Sequence, residues 1–149
     1  MSDLAYNKRA HFDFEILETF EAGLVLLGTE VKSVRAGHMS LKGAYVTMHN
    51  GNAELTNATI PPWQIANTPK SYDQTRSRRL LLSAEELKYL TGKISHTGLT
   101  IVPIRVYNKG SVLKVEIGLA KGKKLHNKKE QQREKDIKRE AEIFLRGKE

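Results

Sequence analysis

The side chains best suited to chemistry in this sequence are guanidinium groups. In "RSRR", Arg76, Arg78 and Arg79 fall within one four-residue stretch. A guanidinium carries paired N–H donors in a fixed fork that matches two phosphate oxygens. Such a cluster suits clamping of a nucleic-acid backbone, and it equally suits a solvated basic loop. Lys32 and Arg35 lie three apart in a segment with helical spacing, so they share a face. Lys114 stands between Leu113 and Val115 in an alternating run and points away from the core those two fill. Tyr45, Trp63, Tyr72 and Tyr107 offer rings for stacking on unpaired bases, although each also fits a core or rim position. No dense aromatic platform accompanies them.

Enzyme signatures are missing. "GLAKGKK", residues 118–124, comes near a phosphate loop, but its glycine spacing is one short and Lys124 stands where Ser or Thr should hold magnesium. His11, His38, His49, His96 and His126 lack metal-ligand spacing, and no cysteine is present for disulfides or thiolate zinc sites. There is no Gly-x-Ser-x-Gly elbow. The carboxylates are scattered and read best as surface groups. Neither catalysis nor a cofactor is expected.

Charge supplies the next clue. Of the 149 residues, 1–120 hold 14 Lys/Arg against 11 Asp/Glu, whereas 121–149 hold 11 against 6, so most of the formal +8 sits at the C-terminus. A basic chain favours polyanionic partners, nucleic acid above all, though net charge alone does not distinguish one from a basic protein without a specific ligand. The first residues carry no apolar signal-peptide core and no apolar run approaches a membrane span, so the cytoplasm is the expected location.

These side chains need elements to hold them. Phe12, Phe14 and Ile16 alternate with polar residues as in a strand with one wet face, Glu21-Ala22-Gly23 breaks the pattern, and Leu24–Leu27 is a second apolar run. Thr29 suits the cap of a short helix that Gly37 stops, with Val31 and Val34 on one face. Asn50-Gly51, between Val46/Met48 and Ala53/Leu55, predicts a tight hairpin. A proline-interrupted loop follows. Ser83 and Glu86 have the capping-box spacing, Leu87 and Leu90 face inward, and Gly92 is the expected end of that helix. Ile101–Val106 and Leu113–Leu119 flank Asn108-Lys109-Gly110 as a second hairpin. About six strands and two short helices remain. A closed barrel hides the edges of such a sheet, so the predicted fold is mainly β, an OB-type Greek-key barrel over 1–120; an open α+β sheet is the alternative.

Residues 121–149 form a basic tail. Asn127 and Glu130 repeat the capping-box spacing, and Glu134–Lys138 and Glu142–Arg146 are supporting pairs, yet no apolar side chain falls between Asn127 and Asp136. A helix without a packed face is marginal in water. Two outcomes fit: a tail disordered when free and helical on a partner, or a charged helix docking its Ile137/Phe144 stripe on the barrel.

"NKRA", "FEAGLVLLGTEVKSVRAG", "RSRRLLLSAEEL", "GLTIVPIRVYNKGSVLKVEIGLAKGKK" and the charged tail resemble the SsrA-binding protein (SmpB) family in sequence and spacing, from about Asn7 onward. The resemblance implies an OB-type barrel that binds the tRNA-like domain of transfer-messenger RNA and delivers that RNA to stalled ribosomes for trans-translation, without catalysis of its own. Alanyl-tRNA synthetase, which charges the RNA, and EF-Tu, which carries the complex, are implied partners only through the RNA. By position, the implied RNA surface holds Asn7, Lys8, Glu21, Lys32, Arg35, Arg76, Arg78, Arg79 and Lys114. Glu21 sits oddly there: it would accept from base amines or a ribose hydroxyl, or hold a neighbouring cation. The tail would probe the empty mRNA channel beyond the small-subunit decoding centre, with Lys121, Lys123, Lys124, Lys128, Lys129, Arg133, Lys138 and Arg139 meeting ribosomal phosphate. A helix over residues 127–146 would span roughly 30 Å. Two departures stand out. Asn127-Lys128-Lys129 replaces the family's usual Asp-Lys-Arg, losing one arginine fork, and Gln74 and Arg79 replace a common Pro and Lys. A ribosome-associated OB-fold structural or assembly protein is the runner-up, and a nucleic-acid hydrolase built on scattered carboxylates a weaker third.

Overall fold

A computed structural model describes residues 3–95, 98–123 and 139 of the chain. The elements in order are β1 (Asp3–Tyr6), α1 (Ala10–Asp13), β2 (Phe14–Leu24), α2 (Gly28–Arg35), β3 (Tyr45–His49), β4 (Asn52–Thr56), a 3-10 turn (Ile65–Asn67), β5 (Arg78–Leu81), α3 (Ala84–Ile94), β6 (Leu99–Lys109) and β7 (Val112–Gly122). All pairings are antiparallel, and β6–β3–β4–β5–β2–β7 closes back on β6. The result is a six-stranded barrel, mainly β and OB-like. Strand β1 adds to β6 on the edge it shares with β3: Ala5 lies opposite Val106 and Val46 opposite Ile101.

Alternation explains the interior. Leu113, Val115, Ile117 and Leu119 on β7 are each at most 5% exposed, packed with Val46, Leu55, Leu80, Ile101 and Val106. Fully burying such side chains stabilises the fold by about 1.5–3 kcal/mol apiece, before the entropy of ordering is subtracted. Strand β6 is buried on both faces, because Val102 and Ile104 pack outside the barrel against Ala10 and Ala120, beside Phe14 and Ile16. This is why "TIVPI" is almost continuously apolar. Register shifts between Pro103 and Arg105 and between Ile16 and Glu18 mark bulges that bend the two long strands around the barrel. Pro103, which has no N–H to give, sits at the first of them. Gly118 lies under this layer, where a Cβ would stand 3.0 Å from Ile16 Cγ2 and 3.1 Å from Ile104 Cδ1.

Several sequence expectations are corrected. Phe12 belongs to the short helix α1 rather than to a strand, and it is covered by Arg9, whose guanidinium lies 4.7 Å from its ring centroid. Strand β2 runs unbroken through Glu21-Ala22-Gly23, because β7 pairs with it along that whole stretch. Three α-helices are present among the described residues, not two, and the N-terminal strand β1 had no apolar alternation to announce it. Helix α3 passes through Gly92 to Ile94. The β6–β7 turn centres on Gly110-Ser111, with Gly110 at φ +62° and Lys109 paired to Val112. The expected tail helix lies outside the described residues, apart from Arg139, which is helical and exposed.

Candidate nucleic-acid interface

The three arginines of "RSRR" do not act together. Strand β5 alternates, so Arg78 points into the protein and Arg79 out of it. Arg78 is fully buried and lies against Glu30 of α2, itself 1% exposed. Its Nε and Nη2 donate to Glu30 Oε2 at 3.1 and 2.7 Å, while Nη1 donates to the Ala58 carbonyl at 2.7 Å and Nη2 also to that of Gln74 at 2.9 Å. Arg76, one-third exposed, pairs with the same carboxylate through Nη2, and the Tyr72 hydroxyl donates to it at 3.0 Å. Glu30 also accepts from the Leu27 amide at 2.9 Å, capping α2. Burial alone would raise the Glu30 carboxyl; hydrogen bonds from Arg76, Leu27 and Arg78 outweigh it and bring the pKa down to about 2. The expectation that Arg78 belongs to an RNA-facing surface therefore fails, since its donors are committed inside. Arg76 is largely committed too. Arg79 alone projects, 3.5 Å from Asn52 Oδ1.

A second cluster faces solvent. Lys32 and Arg35 are exposed at the C-terminal end of α2. Arg35 Nη2 donates to the Ser111 carbonyl at 2.6 Å, which fastens the helix to the β6–β7 turn. On β6, period-two alternation puts Arg105, Tyr107 and Lys109 on one face while Val106 enters the core. The Tyr107 hydroxyl donates to Glu21 Oε2, and Lys109 Nζ donates to Oε1 at 3.0 Å. Lys114 sits in register between Tyr107 and Gly23. Arg105 lies 4.2 Å over the Tyr107 ring and pairs with Asp3 at 3.0 Å and Glu116 at 3.7 Å.

Glu21 thus lies beside Lys109 and Lys114, with a second carboxylate, Glu116, opposite it on β7 and paired to Arg105. Hydrogen bonds from Tyr107 and then Lys109 hold its carboxyl below the usual range. Burial and then the bond to Glu21 push the Tyr107 phenol up to about 12, so it remains a donor at neutral pH. Of the two roles open to Glu21, the structure displays the second, a carboxylate that holds a neighbouring cation. The result is a rigid basic face with a fixed acceptor in it, suited to phosphates arranged around one hydroxyl or amine. Sequence reasoning missed Lys109; its spacing of two from Tyr107 on a strand was the available signal. It also missed Glu30, whose position three residues into α2 signals only a cap.

The remaining expected residues lie elsewhere. Asn7 is half-buried; its Nδ2 donates to the Pro103 carbonyl at 2.9 Å and its amide to the Ile104 carbonyl at 2.8 Å, so it shapes the turn after β1. Lys8 beside it is exposed. Lys121 is exposed, and Lys123 Nζ donates to the His11 carbonyl at 2.8 Å. Arg139 is exposed; Lys124, Lys128, Lys129, Arg133 and Lys138 lie outside the described residues. Among the described residues, no group of three or more His, Asp and Glu could hold a metal ion, and no helix is long and apolar enough to cross a membrane.

The family model for SmpB protein matches residues 4–147. The chain belongs to the SmpB family. An SsrA-binding protein of Thermosynechococcus vestitus is 47% identical over 143 residues, which cover 96% of this chain and 94% of that one. One from a Sulfurihydrogenibium species is 49% identical over 145 residues, covering 97% and 95%. Among solved structures, a chain from "tmRNA-SmpB: a journey to the center of the bacterial ribosome" superposes with a TM-score of 0.66 at 45% identity, over 80% of this chain and 84% of that one. The matched SmpB region includes both the Glu21 face and the Glu30–Arg78 cluster.

Proposed function

We propose that this chain binds the tRNA-like domain of transfer-messenger RNA through the face around Glu21 and accompanies that RNA to stalled ribosomes for trans-translation. The observation that carries the reading is the Tyr107–Glu21 contact with Lys109 bonded to it and half-buried Lys114 beside it, together with exposed Lys32 and Arg35 on α2, which Arg35 fastens to the β6–β7 turn, in a member of the SmpB family. SmpB relatives are named for binding SsrA RNA, and the matched structure is described as tmRNA-SmpB at the bacterial ribosome. A barrel whose cations are held by backbone and carboxylate contacts suits folded RNA, because the donors need no reordering on binding.

Arg78 and Arg76 serve that face from behind. By tying α2 to β5 and the 58–74 loop through Glu30, they set where Lys32 and Arg35 stand. Arg79 and Lys8 are further points of RNA contact. The tail, with Lys121, Lys123, Lys124, Lys128, Lys129, Arg133, Lys138 and Arg139, enters the mRNA path of a ribosome lacking message, where its positive charge meets ribosomal phosphate and bound mRNA would exclude it. Alanyl-tRNA synthetase and EF-Tu act through the RNA. The chain works in the cytoplasm and supplies binding and placement, not catalysis.

A filter-binding titration with the tRNA-like domain and with an unrelated hairpin tests this. Tight binding to the first and much weaker binding to the second is expected. Equal affinity for both would defeat the assignment.

A further inference from the structure

A cleft of about 440 Å³ opens between the turn after β1 and the loop before β3, lined by Tyr6, Asn7, Lys8, Arg9 and the 39–42 segment. We propose that it seats one phosphate and the adjoining base of the same tRNA-like domain, the phosphate between Lys8 and Lys42 and the base on Tyr6. The assignment rests on the function proposed above and extends it to Tyr6 and Lys42, which no motif singles out.

The walls are rigid. Asn7 is fixed by its two bonds to β6. Ser40 exchanges both backbone bonds with Thr59, at 2.9 and 3.0 Å. Met39 and Leu41 are 6% and 2% exposed and form an apolar floor. A fixed site of this kind loses little freedom when a ligand enters.

The charges are unbalanced. Arg9 pairs with Asp13 at 3.1 Å. Neither Lys8 nor Lys42, both exposed, has an ion-pair partner among the described residues. Two ammonium groups flanking an apolar floor repel each other and raise the local potential, and an anion held between them relieves both. Tyr6, 49% exposed at the same cleft, leaves a large ring in water, where a base can stack on it. Ring and paired cations together match a nucleotide, which carries a flat apolar base and a phosphate close by.

The cleft is continuous with the Glu21 face. Along β1, Asp3 lies opposite Tyr107 and Tyr6 opposite Arg105, so one short strand of roughly 10 Å links the two. The chain leaving Arg35 runs directly into the Met39–Lys42 wall. One RNA surface can therefore meet both.

The test uses the full chain carrying Lys42→Gln, Tyr6→Ala or Tyr6→Phe, each checked for an unchanged thermal midpoint. Binding to the tRNA-like domain is titrated across a salt series, and binding to purified small ribosomal subunits is measured in parallel. Lys42→Gln should reduce the slope of log affinity against log salt by about 0.7–0.9, the loss of one phosphate contact. Tyr6→Ala should weaken binding by about tenfold, with Tyr6→Phe within about twofold of wild type. Should Lys42→Gln and Tyr6→Ala match a wild type that binds tightly, the cleft is refuted and the Glu21 face stands. Should the wild type itself show no preference for this RNA, both assignments fall. Should the variants lose affinity only for ribosomal subunits, the cleft serves ribosomal RNA and the assignment here is wrong.

Discussion

Arg78 directs two of its nitrogens, Nε and Nη2, at a single oxygen of Glu30, with both side chains sealed from solvent. The pair joins β5 to α2, and α2 carries Lys32 and Arg35. A residue with the chemistry of a phosphate clamp is thereby placed one layer beneath the surface on which phosphate would bind.

Removing Arg78 takes the fully buried cation from Glu30, which keeps only the one-third-exposed Arg76 as counterion, and removing Glu30 leaves Arg78 a buried charge with no carboxylate. Arg78→Ala should therefore cost about 3–5 kcal/mol in urea denaturation. Arg79→Ala, on the neighbouring outward position, should change stability by less than about 0.5 kcal/mol. Equal losses from the two variants would show that Arg78 is not the structural member of the pair.

The same cluster sets an acid limit. Glu30 has its carboxyl lowered from 4.5 to about 2 in the folded state. A depressed carboxylate contributes stability that is fully present above its unfolded pKa and is lost as pH falls towards the folded one. Stability should thus decline between about pH 4.5 and 2 by more in wild type than in a Glu30→Gln variant, whose smaller total stability should be flatter across that window. Parallel curves for the two proteins would contradict this.

Tyr107 tests the exposed face. Its hydroxyl is the leading cause of the lowered Glu21 pKa, ahead of Lys109. In Tyr107→Phe the Glu21 carboxyl should titrate at higher pH, as followed by carbon-detected NMR. RNA affinity should fall as well, because Lys109 and Glu21 lose their fixed geometry. An unmoved Glu21 titration would show that the Tyr107–Glu21 contact does not govern it.

How much of this was legible in the sequence follows from the range of the forces involved. Strand β7 could be read from Leu113, Val115, Ile117 and Leu119, since a one-sided core imposes alternation on local sequence. The β3–β4 hairpin was legible in Asn50-Gly51, which supply φ of +51° and +76° as a primed turn requires. The Ser83–Glu86 box was legible because both its bonds are local. Arg78 was not. Its partner Glu30 is 48 residues away, and nothing in "RSRR" says which arginine the pleat turns inward. Strand β1 was hidden for the same reason, its pairing with β6 being long-range and its length too short for a pattern.

Gly118 offers a packing test. Valine there must displace Ile16 and Ile104, so Gly118→Val should destabilise by about 1–3 kcal/mol. Expression with an unaltered midpoint in urea would mean that the layer outside the barrel yields more easily than its contacts indicate.

The division between face and tail separates by truncation. A chain ending at Lys123 should retain most of its affinity for the tRNA-like domain and lose activity in a reconstituted ribosome-rescue reaction. Rescue by the shortened protein would remove the tail's proposed task.

One titration addresses directly where the RNA is held. Lys32→Glu/Lys114→Glu reverses one exposed and one half-buried charge of the proposed face without touching the Glu30–Arg78 pair. Filter binding to the tRNA-like domain should show a loss of about tenfold or more, at an unchanged thermal midpoint. Wild-type affinity in this double variant would place the RNA on some other part of the barrel.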